Sequence, residues 1–232
     1  MSLRITIIGY GRMGKEIDAL GKTRGYTIVN RLDIHNNALG EGLTAETLQG
    51  SDVAIDFSTA DATVNNLPKL AAAGINVVIG TTGWNDSERA MRQVVENAGI
   101  GVVVAANFSI GVNLLMGIVE RAAFLFKDQN DFGAWIHESH HAAKVDSPSG
   151  TALALNETMK TSGYTNSINL ASTRAGSLPG THTIGFDGPF ETITLTHTAR
   201  NRAIFAQGAL EAARWVKGHK GWFTMRDVLA LD

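Results

Sequence analysis

The sequence has 232 residues, a formal net charge of −2, 44% hydrophobic and 18% charged residues, and no cysteine. The near-neutral charge argues against a general nucleic-acid or membrane-surface binder. We expect neither a signal peptide nor a membrane span, because no apolar run is long enough. Without cysteine there is no disulfide, thiolate nucleophile or cysteine-ligated metal, which is compatible with the cytoplasmic location that we expect.

The first half of the chain alternates short β-branched runs with helical stretches. Continuous apolar strands separated by helices predict a parallel sheet covered on both faces, and therefore a Rossmann-like, doubly wound α/β domain. The predicted strands are residues 5–8, 26–29, 53–56, 76–79 and 101–105, and the predicted helices are residues 14–24, 60–73 and 87–97.

After a predicted helix at residues 110–125 the pattern changes. Strands without regular intervening helices favour a second, α+β domain with a mixed sheet. The predicted strands are residues 132–139, 168–174, 181–186 and 192–198, with one helix at 149–160. An alanine-rich helix at residues 202–217 is expected to return the chain to the first domain.

A glycine-rich turn follows the first strand and opens the first helix. Gly9, Gly11 and Gly14 match the pattern G-x-G-x-x-G. Its glycines permit the tight turn, the approach of a pyrophosphate to the backbone, and close packing of helix on strand, while the helix N-terminus supplies amide donors. A glycine-rich turn without a ligand can have the same pattern, but its place between a strand and a helix favours a dinucleotide site.

The cofactor preference depends on the end of the second strand. NAD sites commonly place an acid there, about 20 residues after the glycines. In this chain Asn30 and Arg31 occupy that place, and Asp33 lies slightly beyond. Arg31 could pair with the 2′-phosphate of NADP or could be a solvated surface residue. We expect NADPH to be favoured, with NADH also usable.

Two further loops follow predicted parallel strands, at whose carboxyl ends open sheets bind ligands. Each loop alone could be a connection that contacts no ligand, but together with the glycine turn the two loops outline a cleft that could hold the nicotinamide. The residues concerned are Gly80, Thr81, Thr82, Ala105, Ala106, Asn107 and Phe108.

Residues 138–152 concentrate two histidines, a lysine, two acids and a helix start. A histidine can be a general acid near neutral pH, and Lys144 adds a cation. Ser149, Gly150 and Thr151 offer backbone amides and hydroxyls at a positive helix end, which suits a carboxylate or a phosphate. The segment therefore predicts an anion-binding active site, although Lys144 alone could be a surface residue.

Adjacent histidines can also belong to a metal site. Successive residues of a strand point to opposite faces, however, and no carboxylate at helical spacing completes a ligand set around His140 and His141. We therefore expect no metal.

The same residues resemble the dihydrodipicolinate reductase family. Residues 138–152 closely match the family signature E-x-H-H-x-x-K-x-D-x-P-S-G-T-A, with Ser147 where alanine is usual. Similarity to the family extends to the glycine turn with Arg12 and Met13, the strand end with Phe57, and segments 80–83, 106–113, 174–182, 202–206 and 225–229. The chain is shorter than most relatives around residues 31–50 and before Phe190.

This resemblance implies NAD(P)H-dependent reduction of 4-hydroxy-tetrahydrodipicolinate, via dihydrodipicolinate, to tetrahydrodipicolinate in diaminopimelate and lysine biosynthesis. It also implies a homotetramer, a dinucleotide-binding domain of residues 1–108 and 203–232, and a substrate-binding and tetramerisation domain of residues 109–202. Carried over by position, His140 donates the proton with Lys144 as its partner. The two carboxylates of the cyclic substrate would be held by His141, Lys144, Ser149, Gly150 and Thr151.

Two other functions are weighed against this one. The first is another two-domain NAD(P)-dependent oxidoreductase acting on a small acid or imine, which would not need His-His-x-x-Lys joined to Pro-Ser-Gly-Thr. The second is a non-catalytic NAD(P)-sensing module, which would not need an acid and a cation clustered in the second domain. Oxidation of the cofactor in step with loss of substrate separates these possibilities.

Overall fold

The computed structural model describes residues 2–231, which form two compact units. Residues up to Ile110 together with those from Arg202 onward form the first unit, and Gly111–Asn201 form the second. Within the described part of the chain, no helix combines the length and the apolar character needed to cross a bilayer.

The first unit is built on a six-stranded sheet whose neighbouring strands are all parallel. The strands are β1 (Arg4–Ile8), β2 (Thr27–Leu32), β3 (Val53–Asp56), β4 (Asn76–Ile79), β5 (Gly101–Val104) and β10 (Gly221–Phe223). Their order is β10-β5-β4-β3-β1-β2, so the chain turns to one side of β1 for β2 and to the other side for β3. The carboxyl ends of β1 and β3 are therefore the place where such open sheets bind ligands.

Helices cover both faces of this sheet. The long helices are α1 (Arg12–Thr23), α3 (Ala60–Ala72), α4 (Glu88–Ala98) and α7 (Ala203–Val216), and the short elements are α2 (Ala45–Leu48), a 3-10 turn (Asn85–Ser87) and α8 (Met225–Leu229). Ile17 of α1 and Leu210 of α7 share one buried cluster with Ile55, whereas Leu67 of α3 and Val95 of α4 belong to a second cluster. Burial on both faces explains why the strands are continuous apolar runs.

The second unit is a four-stranded mixed sheet with two helices packed on one face. Its strands are β6 (Gly133–His140), β7 (Ile168–Arg174), β8 (Thr181–Asp187) and β9 (Thr192–Thr198), in the order β7-β6-β8-β9. Strands β6 and β7 are parallel, and the other pairs are antiparallel. Helices α5 (Ile110–Phe126) and α6 (Gly150–Thr161) contribute Leu115 and Leu155 to a buried cluster with Ile136 and Ile184.

Polar side chains replace apolar ones toward the carboxyl end of β6. Glu138 and His140 follow Ile136 at intervals of two residues and therefore lie on the same, helix-covered face of the sheet. Glu138 is opposite His182 in β8, and His140 is opposite Arg174 in β7. The register thus gathers four titratable residues at the end of an apolar core.

The predicted fold class is confirmed: a Rossmann-like parallel sheet is joined to an α+β unit with a mixed sheet. The sequence did not predict the short elements α2, β10 and α8. Strand β2 was predicted to end at residue 29 but continues to Leu32, because its pairing with β1 resumes after a register shift and ends with Ile8 opposite Leu32. Arg31 therefore lies inside the strand, and Asp33 follows it directly.

Candidate active site

The glycine turn after β1 has the shape that a dinucleotide phosphate requires. Gly9 has a φ of 84°, and a Cβ atom there would collide with the carbonyl oxygen of Phe57. A Cβ atom on Gly14 would lie 2.5 Å from the carbonyl oxygen of Gly9, whereas one on Gly11 would meet nothing within 4 Å. The open space at Gly11, the residue that precedes α1, is where a pyrophosphate could approach the helix amides.

A cavity of about 380 Å³ opens beside this turn in the first unit. Gly9 and Gly11 line one side of it, Asp33 and His35 belong to the loop after β2, and Phe57 follows β3. The cavity therefore lies where the strand order reverses, and its size suits part of a dinucleotide.

Arg31 is not among the residues that line this cavity, because its side chain is bound by Asp18 of α1. Its Nε and Nη2 atoms donate to Asp18 Oδ2 and Oδ1, each at 2.8 Å, and the Tyr10 hydroxyl donates to Oδ2 at 2.5 Å. The hydrogen bonds between them lower the pKa of Asp18 and raise the pKa of Arg31. The guanidinium charge is thus balanced within the protein, while Asp33 faces the cavity.

A buried polar network holds the cavity wall. Asp56, at the end of β3, accepts hydrogen bonds from the Ser58 amide at 2.8 Å and from Asn66 Nδ2 at 3.2 Å. Asn66 Oδ1 in turn accepts from Asn37 Nδ2 at 3.2 Å. Desolvation raises the pKa of Asp56, although these donors favour its charged form. The network ties the loop after β2 to α3 and β3.

The other predicted cofactor residues of the first unit follow β4 and β5, beside the strands that carry the cavity. Thr81 is buried, with its hydroxyl 3.5 Å from Asp56 Oδ1, and the rings of Phe57 and Phe108 lie 5.7 Å apart. A Cβ atom on Gly80 would collide with the Phe57 ring. Of these residues only Phe57 lines the cavity, whereas Gly80, Thr81, Thr82, Ala105, Ala106, Asn107 and Phe108 do not.

Glu138 is the centre of the polar cluster in the second unit. Its side chain is fully buried, and its Oε1 atom accepts hydrogen bonds from Arg174 Nη2 at 2.7 Å and from the Ser149 amide at 3.3 Å. Burial alone would raise the pKa of Glu138, but Arg174, helped by Ser172 and the Ser149 amide, lowers it to about 2. Glu138 is therefore an anion at neutral pH.

His140 lies beside this anion at the end of β6. Its Nδ1 atom is 2.6 Å from Glu138 Oε2, an ion-pair distance, although the two groups do not meet at the angle of a good hydrogen bond. Desolvation lowers the pKa of His140, and the charge of Glu138 opposes that shift. The ring is only partly buried and can exchange a proton.

His182 is buried next to His140 and contacts the start of α6. Its Nε2 atom is 3.1 Å from Ser149 Oγ, which caps α6 by accepting from the Ala152 amide at 3.2 Å. Desolvation, assisted by the neighbouring His140, lowers the pKa of His182 to about 4. His182 is therefore neutral near pH 7.

Lys144 lies in the loop between β6 and α6 and already binds a carboxylate. Its Nζ atom is 2.6 Å and 2.8 Å from the two oxygens of Asp146, and this contact lowers the pKa of Asp146. The Gly150 amide, at the first residue of α6, also favours the charged form of Asp146. The segment thus holds an internal anion between a lysine and a helix N-terminus, while His141 is exposed beyond β6.

Glu138, His140 and His182 offer ligand atoms within 4.8 Å of one another, a set that could hold a metal ion. Two ligands of one tetrahedral zinc ion stand about 3.3 Å apart, whereas Glu138 Oε2 and His140 Nδ1 are 2.6 Å apart. Arg174 also brings a positive charge to the same carboxylate. The arrangement fits an ion pair better than a metal site.

The sequence had assigned no role to Glu138, Arg174 or His182. For Glu138 a signal was present, since a residue two positions before His140 lies on the same face of a strand. Arg174 and His182 join the cluster only through the register of β7 and β8, which the sequence does not reveal.

Comparison with known proteins gives consistent results over the whole chain. The family models described as dihydrodipicolinate reductase, N-terminus and C-terminus, match residues 3–108 and 111–229. A 4-hydroxy-tetrahydrodipicolinate reductase of Christiangramia forsetii is 36% identical over 98% of this chain and 98% of its own length. The reductase of the same name from Thiobacillus denitrificans is 38% identical over 100% of both chains.

Solved structures include a similar protein. A dipicolinate-bound dihydrodipicolinate reductase from Paenisporosarcina sp. TG-14 has a TM-score of 0.81 and 25% identity, covering 97% of this chain and 98% of that one. An engineered D-amino acid dehydrogenase bound to NADP+ is similar in fold alone, with a TM-score of 0.59, 14% identity and coverage of 97% and 93%.

Proposed function

The chain belongs to the dihydrodipicolinate reductase family, and from this premise we propose that it reduces 4-hydroxy-tetrahydrodipicolinate, via dihydrodipicolinate, to tetrahydrodipicolinate with a nicotinamide nucleotide. The reaction belongs to diaminopimelate and lysine biosynthesis. The observation that carries this proposal is the bridge made by Glu138, whose one oxygen is 2.6 Å from His140 and whose other accepts from the Ser149 amide at 3.3 Å. The candidate proton donor and the candidate carboxylate site thereby lie side by side.

The nicotinamide nucleotide is assigned to the first unit. The open backbone at Gly11 and the start of α1 suit its pyrophosphate, and the cavity that contains Asp33 suits its adenosine end. Both NADPH and NADH are proposed as cofactors, and Asp33 favours NADH, because it lines the cavity while the charge of Arg31 is balanced by Asp18. The other proposed contacts are Gly9, Arg12, Met13, Gly14, Phe57, Gly80, Thr81, Thr82, Ala105, Ala106, Asn107 and Phe108.

The second unit supplies the acid and the cations. When bound, the reduced nicotinamide supplies a hydride to the conjugated imine of the substrate. His140 donates the proton that completes the reduction, and Lys144 is its partner in catalysis. The positive charge of Lys144 and the amides at the start of α6 stabilise the charge that develops on the ring. The substrate carboxylates are assigned to His141, Lys144, Ser149, Gly150 and Thr151.

The active form is proposed to be a cytoplasmic homotetramer. Helices α5 and α6 cover one face of the sheet in the second unit, and the opposite face carries threonine pairs such as Thr183 with Thr196. Trp135 packs over Gly185 on that same face. Such a face can pair with a second copy of the chain, and light scattering of the purified protein measures the resulting mass.

The experiment that tests the activity follows the absorbance of the reduced cofactor. The substrate is generated in place by a synthase that condenses pyruvate with aspartate semialdehyde. Substrate-dependent decay of NADH or NADPH absorbance supports the reductase, and the ratio of the two rates gives the cofactor preference. Cofactor binding without decay would mean that the fold carries a different activity.

A further inference from the structure

Two histidines share the polar end of the sheet in the second unit, and only one of them has a carboxylate at its ring nitrogen. The centroids of His140 and His182 are 5.2 Å apart, with an angle of 71° between the ring planes. Glu138 Oε2 is 2.6 Å from His140 Nδ1, whereas His182 has the neutral hydroxyl of Ser149 at 3.1 Å. Their partners therefore distinguish two otherwise similar rings.

Glu138 is itself held in place. Arg174 Nη2 and the Ser149 amide both donate to its Oε1 atom, at 2.7 Å and 3.3 Å, and no part of the side chain is exposed. A buried carboxylate with one oxygen engaged by charged and backbone donors keeps its orientation, and its second oxygen then faces the neighbouring ring. Glu138 therefore presents Oε2 to His140 from a rigid support.

Gly180 lies beside the other nitrogen of the His140 ring, Nε2. A Cβ atom on Gly180 would lie 3.0 Å from His140 Nε2, so glycine leaves room beside that nitrogen. The other ring nitrogen, Nδ1, is already at ion-pair distance from Glu138 Oε2. In proteins, the partner of one imidazole nitrogen determines what the other can do.

We propose that Glu138 is a positioning residue, which holds the Nδ1–H tautomer of His140 and directs the exchangeable proton to Nε2. In the reductive step, a hydride from the reduced nicotinamide, which is oxidised, forms a C–H bond at one carbon of the conjugated imine. The Nε2–H bond of the imidazolium breaks and its proton forms a second C–H bond at the neighbouring carbon, so that His140 is left neutral with Nδ1–H facing Glu138. Solvent then returns a proton to Nε2. The kinetic part rests on the proposed function, whereas the tautomer is a property of the free protein.

The test compares the full-length protein with Glu138→Gln and Glu138→Asp. In protein labelled with 15N at histidine, two-bond 15N–1H correlation spectra report the tautomer, and a His140→Gln variant assigns the signals. We expect neutral His140 to be the Nδ1–H tautomer in the parent protein, and Glu138→Gln to increase the Nε2–H form. His182→Gln is the matched variant, because it leaves Glu138 and His140 in place and should leave the tautomer unchanged.

Kinetics give the second readout. We expect Glu138→Gln to lower kcat by about 100-fold with a much smaller change in KM, since orientation and charge matter most when the proton moves. The upper pH limit of kcat should move to lower pH by about one unit, because the anion that favours the imidazolium is gone. Glu138→Asp, which keeps the charge, should recover part of the lost rate and of the pH shift.

The outcomes separate the two proposals. A parent protein with the Nε2–H tautomer, or a Glu138→Gln variant with an unchanged tautomer and pH profile, overturns the positioning role. A parent protein without reductase turnover but with the expected spectra overturns the proposed function and leaves the positioning role standing. If Glu138→Gln does not fold, the parent spectrum decides, since the Nδ1–H form supports the role and the Nε2–H form overturns it.

Discussion

Arg31 and Asp18 form a two-point ion pair in which Nε and Nη2 of the arginine meet the two carboxylate oxygens, each at 2.8 Å. Asp18 is buried, so this pairing compensates a charge that would otherwise be costly. One of the two edges by which a guanidinium binds an anion bidentately is thereby occupied. The loop after β2 instead contributes an acid, Asp33, to the cavity.

The first prediction concerns cofactor preference. We expect a higher kcat/KM with NADH than with NADPH, since Asp33 can accept from the ribose hydroxyls and repels a 2′-phosphate. Asp33→Ala should shift the ratio of the two kcat/KM values toward NADPH by about tenfold, the equivalent of about 1.4 kcal/mol. Initial rates with each cofactor measure this.

The matched control for that experiment is Asp128→Ala, which removes the same charge from an exposed position in the second unit. It should leave the cofactor ratio unchanged. A parent protein that prefers NADPH, and loses that preference in Arg31→Ala, would show that the arginine binds the 2′-phosphate despite its ion pair with Asp18.

A second prediction concerns Lys144, which holds the carboxylate of Asp146 at 2.6 Å and 2.8 Å. Lys144→Ala should lower kcat by about 100-fold or more, because it removes a charge that stabilises the transition state. The dissociation constant of NADH should stay within about twofold, since the dinucleotide is assigned to the first unit. Lys160→Ala, an exposed lysine later in α6, is the control. An unchanged rate in Lys144→Ala would remove Lys144 from the catalytic residues.

The sequence predicted the parallel sheet and the mixed sheet because their signals are local. The strands of the first unit are continuous apolar runs such as Val53–Asp56. The glycine turn is also a local pattern, in which Gly9 has a φ of 84° and a Cβ atom on Gly14 would lie 2.5 Å from the carbonyl oxygen of Gly9. The segment that carries His140 and Lys144 could also be recognised, because its chemistry is concentrated in one stretch of chain.

The parts that were not predicted depend on contacts between distant residues. The end of β2 is set by the register shift in its pairing with β1, and this shift makes Asp33, rather than Arg31, the residue that follows the strand. Arg174 and His182 are 36 and 44 positions from Glu138 in the sequence, and they reach it through the pairing of β6 with β7 and β8. No pattern within a short window contains that information.

A third prediction concerns metals. Exhaustive chelation should leave turnover unchanged, because Arg174 binds Glu138 and His140 stands too close to the same carboxylate for a shared ion. Elemental analysis of the purified protein should find less than stoichiometric zinc, iron or manganese. Stoichiometric metal, lost together with activity and restored with it, would instead identify Glu138, His140 and His182 as ligands.

The last prediction concerns the pH dependence of stability, and it follows from His182. Burial lowers the pKa of this residue from its usual 6.5 to about 4, so the folded state resists its protonation more than the unfolded state does. The free energy of unfolding is therefore highest, as far as His182 is concerned, above about pH 6.5. It falls by up to about 3 kcal/mol as the pH drops toward 4, because the unfolded state takes up the proton more readily.

Urea unfolding at pH 7 and pH 4.5 should show a smaller loss of this free energy in His182→Gln than in the parent protein. His140 and His197, whose pKa values are also lowered by burial, are present in both proteins, so the difference between the two losses reports mainly on His182. His141→Gln, at an exposed position, should retain the full loss; an equal loss in His182→Gln and the parent protein would mean that His182 is not the group responsible.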